Sequence, residues 1–396
     1  MQAGTGGRRG TLAVFSAFYP PNLGGIEQYT VNLARTLEGK GVHVVIVTND
    51  AAHLGSHELQ DDGTEVFRLP CRVFAGSRFP VPWHNAEFRR TWARIESLDL
   101  IGVLINARFY FHTLLGCKLA RSHGLTPLVL EHGSSHLGFG DIRIDWAVRQ
   151  WEHGITAAVM RRNPDFYAVS QMGVDWLEHF GITARGKLYN AVNAREFRGI
   201  TSGRDYRREL GIGKGALVAA FTGRLLVGKG TTVLLNAARA MSEQGRDVHV
   251  LVAGDGPDWG RLEREAPSNL HLLGRLGRED VSALLLDSDV FLFPSSYPEG
   301  MPTSILEAAA CGLSTIGTDV GGVREIMPDE SYGWVLDVPP SQPKVMEILA
   351  WCDDNRDELA AMGERCRSRV EHEFSWERTA NDVLAACELA RLEGDL

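Results

Sequence analysis

The sequence predicts an α/β protein of two doubly wound, parallel-sheet domains facing each other across a cleft. Three observations carry this: short apolar runs alternate with segments of helical spacing in both halves; the alternation breaks near 190–205; and the loops after the apolar runs collect Gly, Arg, Lys, Glu and His. A chain of 396 residues has room for about two or three domains, each able to bury a full core.

The first apolar run, residues 12–15, is followed by a loop containing Pro20, Pro21, Gly24 and Gly25. Ile26, Tyr29, Leu33 and Leu37 then fall at helical spacing until Gly39, and a second apolar run occupies 42–47, giving strand, helix, parallel strand. The pattern continues with strands at 100–105, 128–130 and 166–169 and helices at 112–122 and 171–180. From 217 the alternation is more regular, with strands at 217–221, 248–253, 270–273, 290–293 and 314–317 and helices at 229–243, 258–266, 279–286 and 302–310. The domains are expected to be 1–195 and 196–375, followed by a terminal helix in 376–396. In doubly wound domains, ligands bind beyond the carboxyl ends of the strands, so the loops there are where chemistry is sought.

Composition is that of a folded globular chain, with 44% hydrophobic and 23% charged residues, which excludes disordered and fibrous classes. The net charge of −9 divides unevenly: residues 1–200 carry 21 basic and 18 acidic side chains (+3), and 201–396 carry 20 and 32 (−12). Six dispersed cysteines, with no C-x-x-C pair, fit a reducing compartment. No stretch approaches the roughly 18 apolar residues of a membrane span, and Arg8-Arg9 reads as a polar tail. The expected location is the cytoplasm. Residues 79–94 mix Phe79, Trp83, Phe88 and Trp92 with Arg89, Arg90 and Arg94; on a helix they would form a basic, aromatic face suited to the inner surface of a membrane, the alternative being core aromatics with solvated arginines.

The most informative segment is Pro298-Glu299-Gly300-Met301-Pro302-Thr303-Ser304-Ile305-Leu306-Glu307. Pro302 suits the first helical position, and the free N–H groups there make an anion site. Glu299 at the mouth and Glu307 inside the helix can accept hydroxyls on either side of a bound phosphate; the alternative is helix capping by Glu299 with Glu307 on a solvated face. Phe221-Thr222-Gly223-Arg224 with Gly228-Lys229-Gly230 places two cations beside glycines ahead of a helix, suited to a diphosphate or equally to a surface loop. Gly24-Gly25-Ile26-Glu27 is the matching loop of the first domain, with a plain turn as its alternative. His132, in Glu131-His132-Gly133-Ser134, stands at a strand's carboxyl end; His112, His123, His153 and His179 receive no role. Asp287-Ser288-Asp289 has D-x-D spacing but reads as a turn, and Gly254-Asp255-Gly256-Pro257 reads as a tight turn lining the cleft.

With these motifs assembled, the chain resembles the retaining glycosyltransferases of family 4, which have the GT-B fold of two Rossmann-like domains. The Glu299-x7-Glu307 signature and the Arg224/Lys229 pair are its specific parts; Asp289-Val290-Phe291-Leu292-Phe293-Pro294-Ser295, Thr318-Asp319-Val320-Gly321-Gly322 and Phe374-Ser375-Trp376-Glu377 add force by their order. The resemblance implies a nucleoside-diphosphate sugar donor, UDP- or GDP-linked. Arg224 and Lys229 would hold its diphosphate, with Gly223 and the backbone of Gly300, Met301, Pro302 and Thr303; Glu307 would take the ribose, Glu299 the sugar, and Arg275 and Leu276 would lie beside the base. Gly25 and His132 would complete the donor site from the first domain, and the last helix would cross back onto that domain. It further implies retention of anomeric configuration, no metal or other cofactor, no nucleic-acid partner, and a glycan, lipid-linked or small-molecule acceptor in cell-envelope or polysaccharide synthesis. Two positions depart from the common pattern: Asn190-Ala191-Val192-Asn193 at the hinge, and Gly133 after His132. The competing readings are nucleotide-sugar epimerisation or phosphorolysis on the same fold, and a non-catalytic subunit that holds a nucleotide sugar.

Overall fold

A computed structural model describes residues 10–22, 24–74, 79–138 and 140–394. Arg8 and Arg9 lie outside the described residues. The chain divides into two compact units: the first takes everything up to Asn190 together with Trp376–Leu396, and the second takes Ala191–Ser375.

In the first unit the strands are β1 (Thr11–Phe15), β2 (His43–Asn49), β3 (His57–Leu59), β4 (Glu65–Leu69), β5 (Cys71–Phe74), β6 (Phe79–Pro82), β7 (Leu100–Asn106), β8 (Leu128–Glu131), β9 (Asp165–Ala168) and β10 (Gly186–Lys187). The main sheet has the order β10-β9-β8-β7-β1-β2-β4-β3, parallel except for the edge strand β3 on β4; β5 and β6 form a separate antiparallel ribbon. Every residue of β2 is buried, as a central parallel strand covered on both faces requires. The helix Gly25–Gly39 buries Tyr29, Leu33 and Leu37 on one stripe, and the final helix Trp376–Gly394 packs in this same unit, with Trp376 against Tyr29 at 5.3 Å between ring centroids.

Residues 79–94 do not form the single basic, aromatic helix that spacing suggested. Phe79–Pro82 is strand β6, and the helix begins at Ala86, where the Asn85 side chain accepts the Phe88 N–H at 2.8 Å. Phe88, Trp92 and Ile95 point inward and are buried, so most of the aromatic content serves the core while Arg89 and Arg90 face solvent. The ribbon and the long helix Ile142–Met160 carried no clear periodic signal: the ribbon strands are four residues each, and much of that helix is exposed, so its apolar residues trace no single stripe.

In the second unit β11 (Leu217–Thr222), β12 (Val248–Ala253), β13 (Leu270–Gly274), β14 (Val290–Phe293), β15 (Ser314–Thr318) and β16 (Gly333–Leu336) form an all-parallel sheet of order β13-β12-β11-β14-β15-β16. The chain starts in the middle, winds outward through β13, then returns to the other side of β11. That is Rossmann order, and its topological switch point lies between β11 and β14, where Ala219 pairs with Val290 and Ala220 with Phe291. In the first unit the equivalent point lies between β1 and β7. The Asp287-Ser288-Asp289 turn is structural: Asp287 accepts the Tyr206 N–H at 2.6 Å, and Asp289 accepts from the Val218 N–H and the Arg207 guanidinium, both at 2.7 Å.

Candidate active site

In the second unit the charged residues singled out by sequence gather at the carboxyl ends of the strands. Gly223 N–H donates to Ala253 O at 3.0 Å and Leu225 N–H to Asp255 O at 2.8 Å, which stitches the end of β11 to the Gly254-Asp255-Gly256 turn and leaves the Arg224 side chain exposed between two anchored residues. A single 3₁₀ turn, Val227–Lys229, follows. Gly230 then takes φ +84°, and a Cβ there would lie 2.3 Å from Pro294 O, so only glycine lets the two loops touch. That approach carries Lys229 to the segment after β14, where its ammonium forms an ion pair with Glu299 and lies 5.2 Å from the Tyr297 ring centroid.

The helix Thr303–Ala310 starts one residue later than the expected Pro302, which instead occupies the N-cap position in extended conformation. Proline offers no side-chain oxygen to cap this end, and Pro302 O accepts from the Ile305 and Leu306 N–H groups, so the amides an anion would meet are those of Thr303 and Ser304. Met301 and Pro302 are buried, which anchors the turn, while Thr303 is exposed. Behind it, Gly322 N–H donates to Gly300 O at 2.8 Å, and Gly321 has φ +57° with its missing Cβ aimed 2.3 Å from the same oxygen. The Gly321-Gly322 pair therefore sets the path of Gly300.

Glu307 lies one turn inside that helix, and burial pushes its carboxyl up to about 7, with Arg278 pulling against the shift. Arg275 is exposed and Leu276 half-buried in the loop between β13 and the helix Arg278–Leu286. Gly223, Arg224, Lys229, Arg275, Leu276, Glu299, Gly300, Met301, Pro302, Thr303 and Glu307 thus all lie in the loops, or the helix start, that follow the carboxyl ends of strands in one sheet.

Gly25 and His132 belong to the first unit. Gly25 is the first residue of the helix Gly25–Gly39, exposed, with open space where a side chain would be. His132 follows β8 and sits edge-on to Tyr29 at 5.0 Å between centroids. Thr30 donates to Ile26 O (2.8 Å), the Asn106 amide donates to Thr30 Oγ1 (3.1 Å), and Asn106 Oδ1 is therefore left to accept from His132 Nε2 (2.8 Å). Burial lowers the His132 pKa to about 3, so the ring is neutral with its proton on Nε2 and a lone pair on Nδ1.

Sequence reasoning missed the ionic core behind this loop. Arg108, almost completely buried after β7, has its guanidinium 3.3 Å from Glu131 and 3.4 Å from Glu152, both buried, and 4.0 Å from the Phe180 ring centroid. Glu131 Oε1 also accepts the N–H groups of His132 (3.0 Å) and Gly133 (2.9 Å), which fixes the turn that presents His132. Burial raises the Glu131 pKa while Arg108 and these two amides pull it back. The available signal was Glu131 itself, a charge at the end of a buried apolar strand.

Two Rossmann-like units, the second with its charged loops at the switch point, are the architecture of the GT-B fold. The chain matches the model of glycosyltransferase family 4 over residues 23–194 and that of group 1 glycosyl transferases over 203–369. It is 31% identical to the GDP-mannose-dependent monoacylated alpha-(1-6)-phosphatidylinositol monomannoside mannosyltransferase of Corynebacterium glutamicum, across 93% of this chain and 95% of that one. Solved structures with the same fold include HepE of Anabaena in complex with UDP (16% identity, 96% of this chain and 100% of that one, TM-score 0.73) and sucrose-phosphate synthase of Thermosynechococcus elongatus (17%, 96% and 99%, TM-score 0.73). The chain belongs to glycosyltransferase family 4.

Proposed function

We propose that this enzyme transfers a hexose from a nucleoside-diphosphate sugar to a lipid-linked acceptor, with retention of anomeric configuration and no metal in the transfer step. The observation that carries the reading is the convergence of Arg224, Lys229 and an uncapped helix N-terminus at the second unit's switch point. Two cations and a row of amides are what a departing diphosphate needs, because charge accumulates on its leaving oxygen as the glycosidic bond breaks. The surrounding half of the chain carries −12, so bulk charge repels the donor and capture must be local.

Donor binding exchanges partners. The diphosphate takes Lys229 from Glu299, and the freed Glu299 carboxylate accepts from the sugar hydroxyls; Glu307 accepts from the ribose and Arg275 and Leu276 flank the base. As the bond between the anomeric carbon and the phosphate oxygen breaks, the acceptor's hydroxyl oxygen bonds to that carbon on the same face and its proton passes to the departing phosphate oxygen. His132 serves as a neutral acceptor through Nδ1, since a ring that protonates only near pH 3 is no general acid at neutral pH.

The Corynebacterium relative's name supports GDP-mannose as the first donor to try and a phosphoinositide-type glycolipid as the first acceptor. An amphipathic acceptor also fits the first unit's surface: Ile142, Ile144 and Trp146 are exposed at the start of the helix Ile142–Met160, beside exposed Arg143 and Arg149. No helix among the described residues is long and apolar enough to cross a membrane.

The test is a thermal-shift panel of GDP-, UDP-, ADP- and TDP-sugars, followed by transfer assays with the best stabiliser in the presence of EDTA. One donor is expected to raise the melting temperature, and Lys229→Ala is expected to abolish both the shift and the transfer. Stabilisation by none of them, or full transfer by the Lys229 variant, would sink the reading.

A further inference from the structure

Three histidines meet in the first unit beside Glu152: His153 and His179, which received no role from the sequence, and His136, which the sequence did not single out. His136 comes from the loop after β8, His153 from the helix Ile142–Met160, and His179 from the C-cap of the helix Gln171–Glu178. One ring nitrogen from each lies within 4.8 Å of the other two. The ring centroids form a near-equilateral triangle, with sides of 5.5 Å (His136–His153), 5.3 Å (His136–His179) and 5.2 Å (His153–His179).

From this geometry we infer a divalent transition-metal site, zinc being the fitting ion, held by His136, His153 and His179. Three imidazoles on a tetrahedral metal, with metal–nitrogen bonds of about 2.1 Å, put their centroids roughly 5.2 Å apart. The observed triangle already has those dimensions, and modest side-chain rotation closes the nitrogens onto an ion.

The outer contacts are also those of a metal centre. His136 Nδ1–H donates to Glu152 Oε2 at 2.8 Å, which leaves Nε2 as its lone-pair nitrogen; a ligating histidine is commonly oriented by such a carboxylate. Glu152 is itself fixed, accepting the Leu137 N–H at 2.8 Å on its other oxygen and facing Arg108. Arg108 lies between the two buried carboxylates Glu131 and Glu152, and Glu152 Oε2 is shared between its guanidinium and the His136 ring. Trp176 stacks on His179 at 4.9 Å and meets His136 edge-on at 4.8 Å, and the Phe180 ring lies 4.8 Å from that of His153, which narrows the ways the rings can turn. The groups acting electrostatically on His153 are His136, His179, Glu152 and Arg108; desolvation and its two imidazole neighbours lower its pKa.

The ion would tie the loop that follows β8 to two helices, bracing the turn that presents His132. It uses none of the residues assigned to the donor, so the inference stands apart from the sugar-transfer reading. Its fourth position would be open to water.

The test uses the full chain stripped with a chelator, titrated with Zn(II) alone, and followed by calorimetry, by metal content after dialysis and by melting temperature. His153→Ala and His179→Ala, both at exposed positions, are the variants, and their folding is checked by circular dichroism. One zinc per chain is expected, with a raised melting temperature, and each variant should bind at least about tenfold more weakly, the loss that removal of even an outer partner produces. Co(II) substitution should give the intense visible bands of a tetrahedral nitrogen site without a thiolate charge-transfer band. No binding, binding that survives both substitutions, or a thiolate band would each overturn the inference.

Discussion

The two switch points are built on the same strand order yet handle charge in opposite ways. In the second unit Arg224 is exposed and Lys229 pairs with a carboxylate that a ligand can displace, so its cations remain available to something outside the chain. In the first, Arg108 is sealed between Glu131, Glu152 and Phe180, and the nearby histidine is held neutral. One arginine is reserved for a ligand and the other shapes the turn that presents His132. The lesson is that position at a strand's carboxyl end nominates a residue, but burial decides whether its charge is spent on the fold or kept for a substrate.

The sharpest way to break that contrast is to make the same substitution at both places. Arg108→Met leaves two carboxylates buried without their cation and is expected to destabilise the first unit by about 3–5 kcal/mol. Arg224→Met should leave thermal stability within about 0.5 kcal/mol of the parent, while lowering kcat/KM on the order of 100-fold through lost stabilisation of the departing diphosphate. Denaturant unfolding and steady-state transfer assays on both variants decide the matter. Equal stability losses would mean that the burial difference has no energetic content.

Glycine substitutions sharpen the comparison at an intermediate size. Gly230→Ala forces an L residue into φ +84° and drives a Cβ against Pro294 O, so a cost of about 1–3 kcal/mol is expected together with a raised donor KM as Lys229 moves. Gly25→Ala meets nothing within 4 Å and sits in a helix, where alanine is favoured over glycine by up to about 1 kcal/mol. It should therefore be neutral or stabilising in chemical denaturation, yet slow transfer if a phosphate approaches that backbone. A destabilised Gly25→Ala would show that the glycine serves the fold after all.

What was legible in the sequence follows the same division. Five of the second unit's six strands could be read because most are largely apolar runs bounded by turn residues, and the functional residues follow their ends by between one and fourteen positions; Glu299 and Glu307 even share one helix entry, whereas the sixth strand, β16, was not expected. The first unit's ribbon and its helix Ile142–Met160 escaped because their strands are too short, and that helix too exposed, to leave a periodic pattern. Arg108 gave no warning that it is buried, since its partners Glu131 and Glu152 lie 23 and 44 residues away on other elements. The histidine triangle is the extreme case. Its members stand at 136, 153 and 179 on a loop, a helix and a helix end, a spacing that no local metal motif shares, and only the packing of three elements brings them together.

The smallest expected effect concerns protons. Glu307 carries a carboxyl raised from its ordinary 4.5 to about 7 by burial, whereas His132 protonates only near 3. Because the folded-state value is raised, the protonated carboxyl is the form that the fold favours, and ionising it costs stability that grows as pH rises from about 4.5 towards 7. Ribose hydroxyls donating to the carboxylate favour the ionised form, so donor affinity should strengthen with pH through 7, by about tenfold between pH 6 and 8 if only the carboxylate binds. Glu307→Gln should flatten that profile and remove the matching slope in ligand-free stability. His132 contributes nothing to it, being neutral across the whole interval, so His132→Gln should lower the rate without altering the shape of the pH curve. A profile that keeps its inflection near 7 in the Glu307 variant would place the titrating group elsewhere and detach Glu307 from the ribose.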